Sequence, residues 1–171
     1  MLRFVLENAQ DTELLARTVA NHLVPGDLVI LSGDLGAGKT VFARALFRHL
    51  GVNEVVTSPT FVLVKSYQGR FPVEHVDIYR VNDAEELDML CIAELLEEGH
   101  LVVIEWGEKA LGLFGPSYVQ VSLERLDAEV SVDEEVAGDA KRFATVEIVG
   151  PQFSGRRGQM ESEIGEIWSV A

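Results

Sequence analysis

Residues 28–51 read LVILSGDLGAGKTVFARALFRHLG, and the order of their chemistry decides the fold. LVILSG, residues 28–33, is a short apolar run bounded by turn residues, the mark of a buried strand. Lys39 to Leu50 has apolar residues at helical spacing and stops at Gly51, a residue suited to a helix C-terminus. Between them, Gly33 to Thr40 fits G-x-x-x-x-G-K-[ST] at every fixed position. Strand, glycine-rich turn and helix in this order are the context a phosphate-binding loop requires. Glycines let successive backbone N–H groups turn toward phosphate oxygens, and the helix start adds its positive dipole end. Asp34, Leu35, Gly36, Ala37, Gly38, Lys39, Thr40 and Val41 are therefore the expected nucleotide cradle. Lys39 would reach the β- and γ-phosphates, and the Thr40 hydroxyl would ligate magnesium.

Working outward, Asp11 is placed to cap a helix over about residues 12–23, whose stripe is Leu14, Leu15, Val19 and Leu23 and whose stop is Pro25–Gly26. Residues 61–67 and 72–79 read as two strands joined at Gly69. Leu87, Leu90, Cys91 and Leu95 give residues 83–98 an amphipathic helical pattern, with Cys91 as a buried small hydrophobe. Leu101 to Ile104 is wholly apolar and ends in Glu105 and Trp106, as expected of a parallel strand covered on both faces. Alternating Val119, Val121, Leu123 and then Ala144, Val146, Ile148 predict later strands. The reading is one α/β domain over residues 1–150, three-layered and P-loop NTPase-like with a mostly parallel central sheet. An acidic loop is expected at about 124–139 and a loosely ordered tail over 151–171.

A phosphate loop needs a nearby acid to complete the magnesium site. Glu105 has the placement of a Walker-B carboxylate at the end of the buried run. Asp77 lies in HVDIYR, residues 75–80, where His75, Asp77 and Tyr79 share one strand face. Asp77 has a second reading as an edge-strand solvent residue, and His75 as a packed core histidine. TSPT, residues 57–60, is a hydroxyl-rich loop of the kind that orders around a γ-phosphate, or an ordinary turn.

The net charge is −14 over 171 residues. Residues 83–98 carry −7 and residues 124–139 carry −6, so the acidity is local. It argues against direct, electrostatically driven binding to a nucleic-acid backbone or to an anionic membrane, since both reward lysine and arginine. One cysteine leaves no internal disulfide framework. The first twenty residues carry charges throughout and read as neither secretory signal nor membrane span, so a cytoplasmic protein is expected.

GDLGAGKT, TSPTF, HVDIYR and IEW, in this order, resemble the TsaE (YjeE) family over roughly residues 8–125. The resemblance implies a P-loop ATPase of bacterial tRNA threonylcarbamoyladenosine (t6A) synthesis. It would bind ATP/ADP with Mg2+ and work with TsaB and TsaD partners. It also implies Thr40 and Glu105 as magnesium ligands and Asp77 as a catalytic or metal-organising carboxylate. Thr57 to Thr60, with Thr60 against the nucleotide, would be the switch-like loop, and Trp106 would lie beside the site. Thr12 would lie near the nucleotide base, and Arg142 would be a late basic contact to ATP. Lys39, Asp77 and Glu105 are the expected catalytic set. An acidic segment, residues 83–98 first, is the expected dock for a basic partner surface. Two other readings compete: a small-molecule kinase, for which Arg156–Arg157 is the one arginine pair suited to a lid, and a nucleotide-dependent scaffold without required hydrolysis. A GTPase would need an N-K-x-D or T-K-x-D segment, which the sequence lacks.

Overall fold

A computed structural model describes residues 1–81, 84–126 and 141–168. At its centre lies β2 (Leu28–Ser32), all five residues buried. It runs parallel to β5 (Leu101–Glu105) on one side and to β6 (Tyr118–Arg125) on the other. Next to β5 lies β4 (Pro72–Asp77), also parallel, and β3 (Val64–Gln68) closes that edge antiparallel to β4. On the far side β7 (Arg142–Val149) and then β1 (Leu2–Leu6) are antiparallel. The sheet order is β1-β7-β6-β2-β5-β4-β3, a mixed seven-stranded sheet whose centre is parallel. The parallel register has one direct consequence: Asp77 sits level with Glu105, and Glu105 level with Leu31, at the carboxyl ends of adjacent strands.

Two-residue alternation sends Val29 and Leu31 to one face and Leu28 and Ile30 to the other. The first face is covered by α1 (Ala9–His22) and α2 (Lys39–His49), the second by α3 (Ala84–Asp88) and α4 (Ile92–Glu97). Burial on both faces explains why β2 and β5 are apolar without alternation. Asn8, rather than Asp11, caps α1: its side chain accepts the Asp11 N–H at 3.0 Å, while Asp11 reaches back to the Glu7 N–H at 2.8 Å. Among the described residues no helix is long and apolar enough to cross a membrane.

Two further expectations are corrected. The amphipathic helix over 83–98 is broken in two at Cys91, whose φ of 50° turns its side chain outward. Cys91 is exposed and Ile92 takes the buried place. Nor are residues 151–168 a loosely ordered tail. A 3-10 turn (Pro151–Phe153) leads into α5 (Arg157–Ile167), which packs on α1, with Phe153, Met160 and Ile164 fully buried. Trp168 stacks on Phe4 at 4.8 Å between ring centroids. The Arg156 guanidinium grips the fully buried Asp27 carboxylate in bidentate fashion. This segment therefore belongs to the main core. Most of the acidic stretch 124–139 lies outside the described residues.

Candidate functional site

The glycine-rich turn leaves β2 through residues that need glycine. Gly33 has φ 130°, and a Cβ there would lie 2.1 Å from the Leu123 carbonyl oxygen. Gly36 and Gly38 also have positive φ, 77° and 105°. Gly38 is the N-cap of α2 and offers no side-chain acceptor. The first ladder bond of the helix runs from the Phe42 N–H to the Gly38 carbonyl at 2.9 Å. The N–H groups of Lys39, Thr40 and Val41 therefore have no partner within the helix, and together with the dipole they make an anion site.

Lys39 is 5% exposed. Its ammonium donates to the backbone carbonyls of Gly33 and Asp34 at 2.6 and 2.9 Å and lies 3.5 Å from the Trp106 ring centroid. Burial pushes its pKa below the ordinary lysine value, against the opposing pull of Glu105, Glu108, Asp77 and Asp34. Trp106 itself has φ 65°, a conformation that costs a non-glycine residue about 1–2 kcal/mol and here aims the indole over the lysine.

Glu105 and Asp77 are both buried. The Thr40 hydroxyl lies 2.9 and 3.0 Å from the two Glu105 oxygens, and His75 Nε2 is 2.9 Å from Oε1. Asp77 Oδ2 accepts from the Thr60 hydroxyl at 2.6 Å and the Ser58 hydroxyl at 3.3 Å, and Oδ1 accepts the Tyr79 N–H at 2.9 Å. The Ser58 and Thr60 hydroxyls are 2.6 Å apart. The loop over residues 57–60 is thus tied to the strand end that carries Asp77.

Leu35, Gly36, Gly38, Lys39, Thr40, Val41, Thr60, Asp77 and Glu105 all line one cavity of about 270 Å³. Asp34 and Ala37 belong to the turn without lining the cavity. Arg142 stands behind the turn: it is 1% exposed and its Nε donates to the Ala37 carbonyl at 2.9 Å. Its pKa is lowered by burial and by the neighbouring Arg125. Thr12 is buried in the first turn of α1, its hydroxyl 3.4 Å from the Asn8 carbonyl, and does not line the cavity. Arg44 and Ser58 do line it and were not singled out from sequence, although Arg44 follows Thr40 by one helical turn and Ser58 lies inside TSPT. Among the described residues no three His, Cys, Asp or Glu side chains form a metal cage. The oxygen set of Thr40, Glu105 and Asp77 suits an ion that keeps waters and takes its remaining ligands from phosphate, as Mg2+ does.

A family model described as "Threonylcarbamoyl adenosine biosynthesis protein TsaE" matches residues 6–134. The chain belongs to the TsaE family. Among TsaE relatives, the Rickettsia felis protein named "tRNA threonylcarbamoyladenosine biosynthesis protein TsaE" is 42% identical over 125 residues, 72% of each chain. The protein of the same name from Treponema pallidum is 38% identical over 145 residues, 85% of this chain and 99% of its own. The crystal structure of Bacillus subtilis YdiB superposes with a TM-score of 0.71 at 24% identity over 95% of both chains, a likeness of fold. The TsaE match spans every cavity-lining residue and ends before Arg142 and α5.

Proposed function

We propose that this TsaE-family chain binds ATP with magnesium and hydrolyses it as the energy-using component of tRNA threonylcarbamoyladenosine synthesis, with TsaB and TsaD as its partners. The carrying observation is the Thr40 hydroxyl held at 2.9 and 3.0 Å by both oxygens of Glu105, immediately beside the uncapped start of α2. A hydroxyl and a carboxylate meeting beside an anion site fit a magnesium ion shared with phosphate. The ion, when bound, would neutralise phosphate charge and fix the polyphosphate in line for attack.

The chain's own groups do the rest. The N–H groups that open α2 receive phosphate oxygens. Lys39 exchanges the Gly33 and Asp34 carbonyls for phosphate, a small movement of an ammonium that already sits in the turn. Its depressed pKa shows that burial is only partly offset by the surrounding acids, and phosphate supplies the missing negative charge. Asp77 holds Ser58 and Thr60 where the terminal phosphate arrives, so their loop can sense its loss and loosen. The relatives' names and the net charge of −14 support a protein that serves tRNA modification while leaving the RNA contact to partners.

Phosphate release from MgATP, measured with and without a purified TsaB–TsaD pair, tests the reading. Slow release alone and marked stimulation by the pair are expected. Release that depends on a small-molecule acceptor, or none in either condition, overturns it.

A further inference from the structure

His75 is fully buried in β4, its ring edge-on to Phe47 at 5.2 Å and 89°. It shares a strand face with Asp77 and stands level with Val103, so Glu105 is its diagonal neighbour on that face. Its Nε2 lies 2.9 Å from Glu105 Oε1. In its role as a magnesium ligand Glu105 is a carboxylate, which only accepts, and that role assigns the donated proton to Nε2. The other nitrogen, Nδ1, is buried with no hydrogen-bond partner among the described residues. A histidine serving only to fill the core would leave two nitrogens to satisfy where an apolar ring leaves none. Here the whole polar capacity in use is directed at one carboxylate.

We propose that His75 is a positioning residue that aims the Glu105 carboxylate at the magnesium ion accompanying ATP. The inference rests on the function proposed above and adds the group that orients its metal ligand. With the Thr40 hydroxyl spanning both oxygens, rotation of the carboxylate about its last torsion stays soft. The imidazole N–H singles out Oε1 and fixes that torsion, and Phe47 fixes the imidazole. Outer partners of this kind change metal affinity by about 10–100-fold when removed. β4 would then supply two parts of one device: Asp77 for the loop over 57–60 and His75 for the magnesium carboxylate.

The test compares His75→Asn with His75→Gln. The Gln amide reaches the place of Nε2, whereas the shorter Asn amide reaches only that of Nδ1. The readout is the magnesium concentration that half-saturates binding of a fluorescent ATP analogue, beside its affinity in EDTA. His75→Asn should raise that concentration about tenfold or more and leave the EDTA affinity unchanged, and His75→Gln should restore it to within about threefold of wild type. Equal magnesium dependence in wild type and His75→Asn, or a rise in His75→Asn that His75→Gln does not restore, overturns the positioning role. If His75→Asn does not fold, His75→Gln decides alone: a shift beyond about threefold defeats the proposal. Wild-type binding indifferent to magnesium would instead sink the function on which the inference rests.

Discussion

Replacing Arg156 by alanine removes the partner of a carboxylate that has no access to water. Asp27 is 0% exposed, and its oxygens accept from the Val24 N–H at 2.8 Å, from the Gln152 amide at 3.0 Å, from Arg156 Nη2 at 2.5 Å and from Arg156 Nη1. Breaking a buried pair by deleting one partner costs about 3–5 kcal/mol. Two of the four donors remain, which places the expected loss near the lower end, about 3 kcal/mol. Loss of the Arg156 bond to the His22 carbonyl at 2.6 Å and of its cation lying over Phe153 acts in the same direction. For a chain of this size the melting temperature should fall by about 6–12 °C. Urea unfolding followed by tryptophan fluorescence reads the change, because Trp168 stacks on Phe4 where the C-terminal segment docks. Arg157→Ala is the control: it breaks an exposed pair with Glu161 and should cost about 0.5 kcal/mol or less. Asp27 precedes β2 at the end opposite the glycine-rich turn, about 16 Å away along five strand residues, so ATP affinity should not change. A loss below about 1 kcal/mol, or a Trp168 transition separate from global unfolding, would refute the claim that the C-terminal segment is part of the core.

Three further outcomes follow from the site. Gly33→Ala places a Cβ 2.1 Å from a backbone carbonyl and should cost about 3 kcal/mol or more in urea unfolding, whereas Gly36→Ala, whose Cβ meets nothing nearer than Arg125 Nη1 at 3.8 Å, should cost about 1–2 kcal/mol from its backbone alone. Because burial lowers the Lys39 pKa below 10.5, its charge is lost at a lower pH than that of a free lysine. ATP affinity should therefore weaken as pH rises through that lowered value in an alkaline titration, and Lys39→Arg, which stays charged, should flatten the alkaline arm. Asp77→Asn replaces the carboxylate that accepts from Ser58 and Thr60 and should raise the magnesium concentration that half-saturates nucleotide binding by about tenfold or more, read with a fluorescent ATP analogue.

What could be read without coordinates follows from how local each signal is. The turn from Gly33 to Thr40 announces itself because phosphate binding by backbone N–H groups demands glycines at fixed spacing, and β2 and α2 follow from the same twenty-four residues. Glu105 was legible as the end of a doubly buried strand. The meeting of Asp77 with Glu105 was not, since it depends on the β4–β5 register, which no residue of either strand encodes alone. His75 was ambiguous for the same reason: its partner is diagonal across two strands, thirty residues away. The break at Cys91 is hidden by an apolar pattern that continues through it. In α5 the buried stripe is only Met160 and Ile164 within the helix, and Gly155 and Gly158 mask it as a loop. The resemblance implies Arg142 as a late basic contact to ATP; the structure adds what no local pattern tells, that its Nε donates to the Ala37 carbonyl at the back of the turn.

The most direct test of an ATP site at Gly33 to Thr40 is calorimetric titration of wild type and Lys39→Ala with a non-hydrolysable ATP analogue at fixed magnesium. Wild type should bind one equivalent, and Lys39→Ala should bind about 10–100-fold more weakly, the worth of one charged hydrogen-bond donor to phosphate. Equal affinities in the two proteins would contradict the account.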